Sequence, residues 1–222
     1  MSHTDHIELL EKVLSEREIP FTRKSSGAAQ AEHIVLELPG ERKLKTTVLL
    51  TAGTYGVRVE AFVCRHPDEK LEEVFKFLLK RNRRLYGVAY TIDNIGDIYL
   101  IGRISGDALT ADEVDRVLGQ VLEAADGDFN ALLEIGFATS IRREWAWRVS
   151  RGESLRNLLA FEHLIDKDSL PEPGEPLPDR YVPGETSVID DAPVADRSTR
   201  FPLVEVHGTL APGLGIPSRW SR

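Results

Sequence analysis

The chain has 222 residues, 41% of them hydrophobic, with one Cys and one Met, which bounds it to one or two domains and excludes an internal disulfide framework or a Cys-rich zinc site. Its 36 acidic against 28 basic side chains leave a formal net charge of -8, which counts against broad affinity for nucleic acid or anionic membranes. No run approaches the ~18 consecutive apolar residues of a membrane helix, and Met1 to Glu8 is too polar for a signal peptide, so the cytoplasm is the expected compartment.

Ile7, Leu10 and Leu14 repeat at helical spacing, with Thr4 as a capping residue and Ile19-Pro20 as the stop. Three alternating runs follow: Ile34 to Leu38, Leu44 to Leu50 and Val57 to Val63. They read as strands, and Gly53 to Gly56 reads as a hairpin turn between the last two. Phe21 to Lys24 can add a short edge piece. Leu71, Val74, Phe75, Leu78 and Leu79 form the stripe of a second helix, capped by Asp68 after Pro67. Val88 to Ile92 and Ile98 to Ile104 make a second hairpin around Asn94-Ile95-Gly96, the return strand being apolar enough for a central position. Thr110 and Glu113 spell a capping box, and the stripe from Val114 to Phe137 predicts a third helix that Ile141 and Trp145 extend. Ser150 and Glu153 look like another capping box before a last helix through Leu155, Leu158 and Leu159. The order is α-β-β-β-α-β-β-α.

Nine of the twelve prolines fall after residue 170, so a boundary is placed near Asp166: a domain over 1–165 and a Pro-rich, extended tail over 166–222. Phe201, Leu203, Val204 and Val206 form one apolar run in that tail, readable as a docking peptide or added strand, or simply as apolar residues in an extended tail.

No catalytic pattern is complete. The six histidines include no i, i+4 pair with an interposed Glu, as a helical zinc hydrolase needs. Ser105 in Gly102–Gly106 sits one place late for a nucleophile elbow. Gly213 and Gly215 lack the third glycine and the strand-to-helix setting of a dinucleotide site. Asp126, Asp128 and Asn130 imitate the start of a calcium loop, but Ala131 and Phe137 stand where its Gly and Glu belong. Asp93 and Asp97 flank a turn, where carboxylates are ordinary turn formers as well as possible acid-base partners. Cys64 reads as a small apolar residue. No cofactor and no metal are therefore expected, and no enzyme.

Two basic groups are candidates for a partner. Lys80, Arg81, Arg83 and Arg84 end the second helix, where they either grip an anion or complement the helix dipole. Arg142, Arg143, Trp147, Arg148 and Arg151 combine guanidinium with indole, and Trp145 continues the buried stripe while Trp147 faces elsewhere. The candidate partner-binding set is Arg81, Arg83, Arg84, Arg143, Trp147, Arg151, Phe201 and Val204.

The runs Val57 to Arg65, Phe77 to Tyr90, Asp97 to Leu100 and Trp145 to Ser154 resemble the YbjN domain family in its actinobacterial form, over roughly Thr4 to Leu164. The resemblance implies a regulator of sensory transduction. It also implies an α+β fold similar to type III secretion chaperones, with about five antiparallel strands covered by helices on one face. Such domains pair as homodimers and hold extended client segments, and no catalytic set comes with them. Tyr90, Tyr99 and Phe62 are the aromatic positions that the other face or an edge can use, with the strand register deciding which way each points. The expected function is a non-enzymatic, chaperone-like protein-binding module with an unidentified protein client. The alternative is a nucleic-acid-associated regulator using the Arg/Trp-rich segments.

Overall fold

The computed structural model describes residues 3–25 and 32–170. They divide into two compact units, one ending at Gly136 and the other beginning at Phe137.

The first unit opens with α1 (His3–Glu16), which buries Ile7, Leu10, Val13 and Leu14. It begins one residue before Thr4, so Thr4 lies inside the first turn and is not the cap. Its stop is local: Glu18 takes a left-handed φ of 55°, and the Ile19 N–H reaches back to the Leu14 carbonyl at 2.9 Å before Pro20 bars continuation. Six strands follow, β1 (Phe21–Ser25), β2 (Glu32–Pro39), β3 (Lys45–Gly53), β4 (Gly56–Cys64), β5 (Val88–Ile92) and β6 (Ile98–Ser105). They form one antiparallel sheet in the order β1-β2-β3-β4-β6-β5. The strand expected to be central, β6, lies between β4 and β5. The expected five strands become six because Phe21–Ser25 pairs along its whole length with β2, from Phe21 opposite Leu36 to Ser25 opposite Glu32. Its polar composition, with Arg23 and Lys24, suits an edge and hides the period-two signal.

One face of the sheet carries Ile34, Leu36, Val48, Leu50, Val57, Val59, Ala61, Ile98 and Leu100, none more than 1% exposed. Helices α1 and α3 (Ala111–Gly127) pack on β2–β4 and on β3, β5 and β6 respectively. The β3–β4 turn works because Gly56 sits at φ +137°, where a Cβ would stand 2.0 Å from the Ile104 carbonyl oxygen.

Helix α2 (Leu71–Asn82) starts after Lys70 in a left-handed conformation, with no side-chain cap. The expected cap, Asp68, instead holds Arg65 through two bonds at 2.5 and 2.7 Å, while its N–H donates to the Gly136 carbonyl. Thr110 does cap α3, its hydroxyl accepting the Glu113 N–H at 3.2 Å, but the Glu113 carboxylate goes to the Tyr86 hydroxyl and Arg116.

The long third helix is three helices. The chain breaks at Asp128 and again at Phe137, giving α3, α4 (Phe129–Gly136) and, in the second unit, α5 (Ala138–Arg151). A hydrophobic stripe continues across both breaks, and so conceals them. In α5, Ile141, Trp145 and Ala146 are buried. Gly152 at φ 65° ends α5, and Ser150 donates to the Trp147 carbonyl inside it, so Ser150–Glu153 opens no new helix. The expected last helix is a 3-10 segment, Arg156–Leu164.

Candidate interaction surfaces

A polar cluster fixes α2 against its unit. Asp128 Oδ2 accepts from Arg81 Nε at 2.6 Å and from the Tyr90 hydroxyl at 2.9 Å, and Arg81 also reaches Glu123 at 3.2 Å. Burial, reinforced by Asp128, pushes the Tyr90 phenol up, and the bond to Asp128 raises Arg81. Asn82 clamps the outer edge of β5: its amide oxygen accepts the Tyr90 N–H at 2.7 Å and its amide nitrogen donates to the Tyr90 carbonyl at 3.2 Å. That edge is therefore occupied, as exposed strand edges commonly must be. Arg81, a candidate for partner binding from sequence, spends its charge inside the protein.

Clamped this way, α2 buries only Val74 and Leu78 of its apolar stripe. Leu71 is 37% exposed and Leu79 65% exposed, with Phe75 half-buried between them, so the i, i+4, i+8 positions form an outward ridge. Glu72 and Glu73 occupy the first turn of α2 and Lys80 and Arg81 the last, with exposed Arg83 and Arg84 just beyond. Among the described residues no carboxylate pairs with Lys80, Arg83 or Arg84.

The other sheet face carries half-buried Val35, Leu49, Phe62, Tyr99 and Ile101. Phe62 and Tyr99 face each other across β4 and β6 with ring centroids 5.4 Å apart, edge to face. Tyr90 is not with them. It lies on the inward face, 6% exposed, because its hydroxyl is needed by Asp128 and the Ala124 carbonyl. Glu60, 7% exposed, is held by Arg58 at 2.6 Å on the same outward side. At the far edge, β1 has only β2 as a strand neighbour among the described residues; Thr22, Arg23 and Lys24 are exposed, and Arg23 is held by Glu11 at 3.2 Å and Glu32 at 2.5 Å.

In the second unit, Arg143, Trp147 and Arg151 share one side of α5. Trp147 is 37% exposed, both arginines are exposed, and the Arg151 guanidinium stands 5.4 Å from the indole centroid. Trp145 is 4% exposed. Phe201 and Val204 lie outside the described residues.

The groups weighed for chemistry serve the fold. Asp93 Oδ1 accepts the N–H groups of Ile95 and Asp97, and Asp97 Oδ1 accepts the His66 N–H at 2.7 Å, so the two carboxylates tie down the β5–β6 turn and its neighbour. Asp126 Oδ1 accepts the N–H groups of Arg42 and Lys43, both at 2.8 Å. Among the described residues no cluster of three His, Cys, Asp or Glu side chains could hold a metal, and no helix is long and apolar enough to cross a membrane.

Two buried groups, Lys43 and His6, escape sequence reading. Lys43, 4% exposed, donates to the Phe62 carbonyl and lies 5.5 and 5.9 Å from the Phe62 and Phe129 ring centroids, and burial pushes it down to about 8. Burial likewise pushes the Cys64 thiol up to about 12. His6, 1% exposed, donates from Nδ1 to the Gly53 carbonyl at 3.1 Å. A lysine between strands looks like any surface lysine until the loop that carries it folds inward.

The family model described as "Putative bacterial sensory transduction regulator", YbjN, matches residues 6–134. The chain belongs to the YbjN family. Its relatives include "Uncharacterized protein Rv0487" of Mycobacterium tuberculosis, 58% identical over 156 residues, covering 70% of this chain and 85% of the relative. "Uncharacterized protein ML2442" of Mycobacterium leprae is 56% identical over 160 residues, covering 72% and 87%. Among solved structures, a chain of the heterodimeric ExoU–SpcU complex from the type III secretion system of Pseudomonas aeruginosa is similar at TM-score 0.42 and 14% identity, over 59% of this chain and 99% of that one. A chain of the ExsC–ExsE complex is similar at TM-score 0.37 and 16% identity, over 60% and 97%. The YbjN match ends before α5, so the Arg143–Trp147–Arg151 ridge is not part of what the family model describes.

Proposed function

We propose that this YbjN protein is a non-enzymatic protein-binding module of the regulatory kind, working as a homodimer paired through α2. The observation that carries this reading is the exposed Leu71–Phe75–Leu79 ridge, acidic at its start and basic at its end. A two-fold interface must be self-complementary. Two α2 helices laid antiparallel bring Phe75 of one copy to Leu79 of the other, and bring Glu72, which pairs with Lys76 on its own helix, within reach of Arg83, so that the apolar halves cover each other and a shared ion pair forms at the rim. The helix dipoles oppose as well. The helix is about 18 Å long, which limits the contact to the small end of stable interfaces. The client is an extended segment of a protein partner, added along the edge of β1, where exposed Lys24 favours an acidic strand, Arg23 being paired with Glu11 and Glu32.

Sedimentation equilibrium across micromolar concentrations tests the pairing. Leu79→Glu should give a monomer. Glu72→Arg and Arg83→Glu should each weaken the dimer, and the two together should restore it. A full chain that stays monomeric at high micromolar concentration, or a double variant no tighter than either single one, sinks the α2 interface.

A further inference from the structure

Helix α5 carries two arginines that the described residues of the second unit leave without a carboxylate partner. Along α5, Arg143, Trp147 and Arg151 stand one turn apart in succession, spanning about 12 Å. The neighbouring guanidinium groups are occupied: Arg142 donates to the Leu164 carbonyl at 2.9 Å, and Arg148 holds Glu144 at 2.7 Å and the Ser154 carbonyl at 2.9 Å. Glu144 is thereby neutralised. Arg143 and Arg151 pair with no carboxylate among the described residues, and between them lies a half-exposed indole with Arg151 stacked at 5.4 Å. Two unpaired guanidinium groups flanking an apolar ring fit one kind of occupant: a segment that places carboxylates beside a branched apolar side chain.

The chain contains such a segment beyond Leu170. From Glu172 to Asp196 it carries seven acidic side chains and one basic one, Arg180. Within that stretch, Val188-Ile189-Asp190-Asp191 sets two branched apolar residues against two adjacent carboxylates. Asp190 is 20 residues past Leu170. Twenty residues taken as a random coil would span about 25 Å root-mean-square and give a local concentration on the order of millimolar, enough for a weak, salt-sensitive contact to persist within one molecule.

We propose that Val188–Asp191 docks on the Arg143–Trp147–Arg151 ridge of its own chain, with Ile189 against the indole and Asp190 and Asp191 on the guanidinium groups. The contact joins an acid-rich segment to a basic-aromatic surface. It stands independently of α2 pairing, because it uses none of the residues of that interface.

Acrylamide quenching of tryptophan fluorescence in the full-length chain tests it. A Trp220→Phe background leaves Trp147 as the accessible indole, since Trp145 is 4% exposed. The parent should show a shielded Trp147. Asp190→Asn with Asp191→Asn should raise the quenching constant on the order of twofold, the range expected when a weak intramolecular contact is released. Salt at 1 M should do the same to the parent and nothing further to the tail variant. Arg143→Gln combined with the tail variant should add nothing to it, and a synthetic peptide of residues 186–193 should restore shielding to the tail variant at low salt. Equal quenching in parent and tail variant overturns the proposal. So does restoration by a scrambled peptide of the same composition, or stronger shielding by a single-stranded oligonucleotide than by the peptide.

Discussion

Helices α2 and α5 each place three residues one turn apart on an outward ridge, yet they carry opposite kinds of information. On α2 the ridge is apolar, Leu71, Phe75 and Leu79, and the charges are sorted along the axis, acid first and base last. On α5 the ridge is Arg143, Trp147 and Arg151, with one sign of charge throughout. A sorted ridge is complementary to its own antiparallel copy, whereas a ridge of one sign repels a copy and attracts an acid. The sign pattern, more than the amount of exposed apolar surface, therefore selects the partner.

The comparison breaks most readily at the cluster that seats α2. Asp128 is the acceptor for both Arg81 and Tyr90, and its side chain is 11% exposed. Asp128→Ala removes the acceptor that Arg81 and Tyr90 share, leaving Arg81 only Glu123 and the phenol only the Ala124 carbonyl, and should cost about 3 kcal/mol, read from the urea midpoint. Dimerisation should fall with it, while the salt response of Trp147 quenching stays as in the parent. If both readouts fail together, the two helices do not act separately.

A pH series sharpens the same separation, because the first unit holds buried titrating groups whose slopes oppose. Lys43 sits at about 8 in the folded protein against about 10.4 unfolded, so above pH 8 the unfolded chain binds more protons and stability rises with pH. Cys64 sits at about 12 against about 8.5 unfolded, so above pH 8.5 the unfolded chain binds fewer and stability falls. Each contributes about 1.4 kcal/mol per pH unit, and between pH 8.5 and 10 the two nearly cancel. Lys43→Met should expose a fall of about 2 kcal/mol across that window, and Cys64→Ala a rise of similar size, whatever each does to stability at neutral pH. Trp147 shielding should not change over this range, since neither Lys43 nor Cys64 belongs to that contact. A steep slope in the parent, or the same slope in both variants, contradicts the assignment.

The sequence made the architecture legible where a local pattern had one meaning. Alternation in Ile34–Leu38 and Val57–Val63, the Thr110 cap and the glycine-flanked hairpin all translate directly into β2, β4, α3 and the β3–β4 turn. Legibility fails where tertiary partners decide. The stripe from Val114 to Phe137 reads as one helix because apolar spacing survives the breaks, and the break at Asp128 exists beside contacts to Arg81 and Tyr90 that lie 47 and 38 residues away. Asp68 looks like a cap until Arg65 claims it. Charge hides function in the same way: Arg81, Arg83 and Arg84 are one basic run in sequence, and only the fold turns Arg81 inward while leaving the others in solvent. Trp145 and Trp147 separate as helical phase alone requires, because that decision is local.

The smallest effect is the most discriminating for the α2 pairing. Arg83 caps the helix at αR dihedrals and so continues the helical course, which sets it on the solvent side of the ridge, level with Glu72 of an antiparallel copy. Arg84 is one residue, about 100°, further round. Both are exposed, unpaired cations, so a dimer held by general charge attraction would treat them alike. A registered contact would not. Arg83→Ala should weaken the dimer about threefold, the worth of one rim ion pair, and Arg84→Ala by less than about 1.5-fold, with both variants as stable as the parent. Equal losses would replace the registered helix pair with unspecific attraction, and the sorted charges of α2 would then be dipole complements and nothing more.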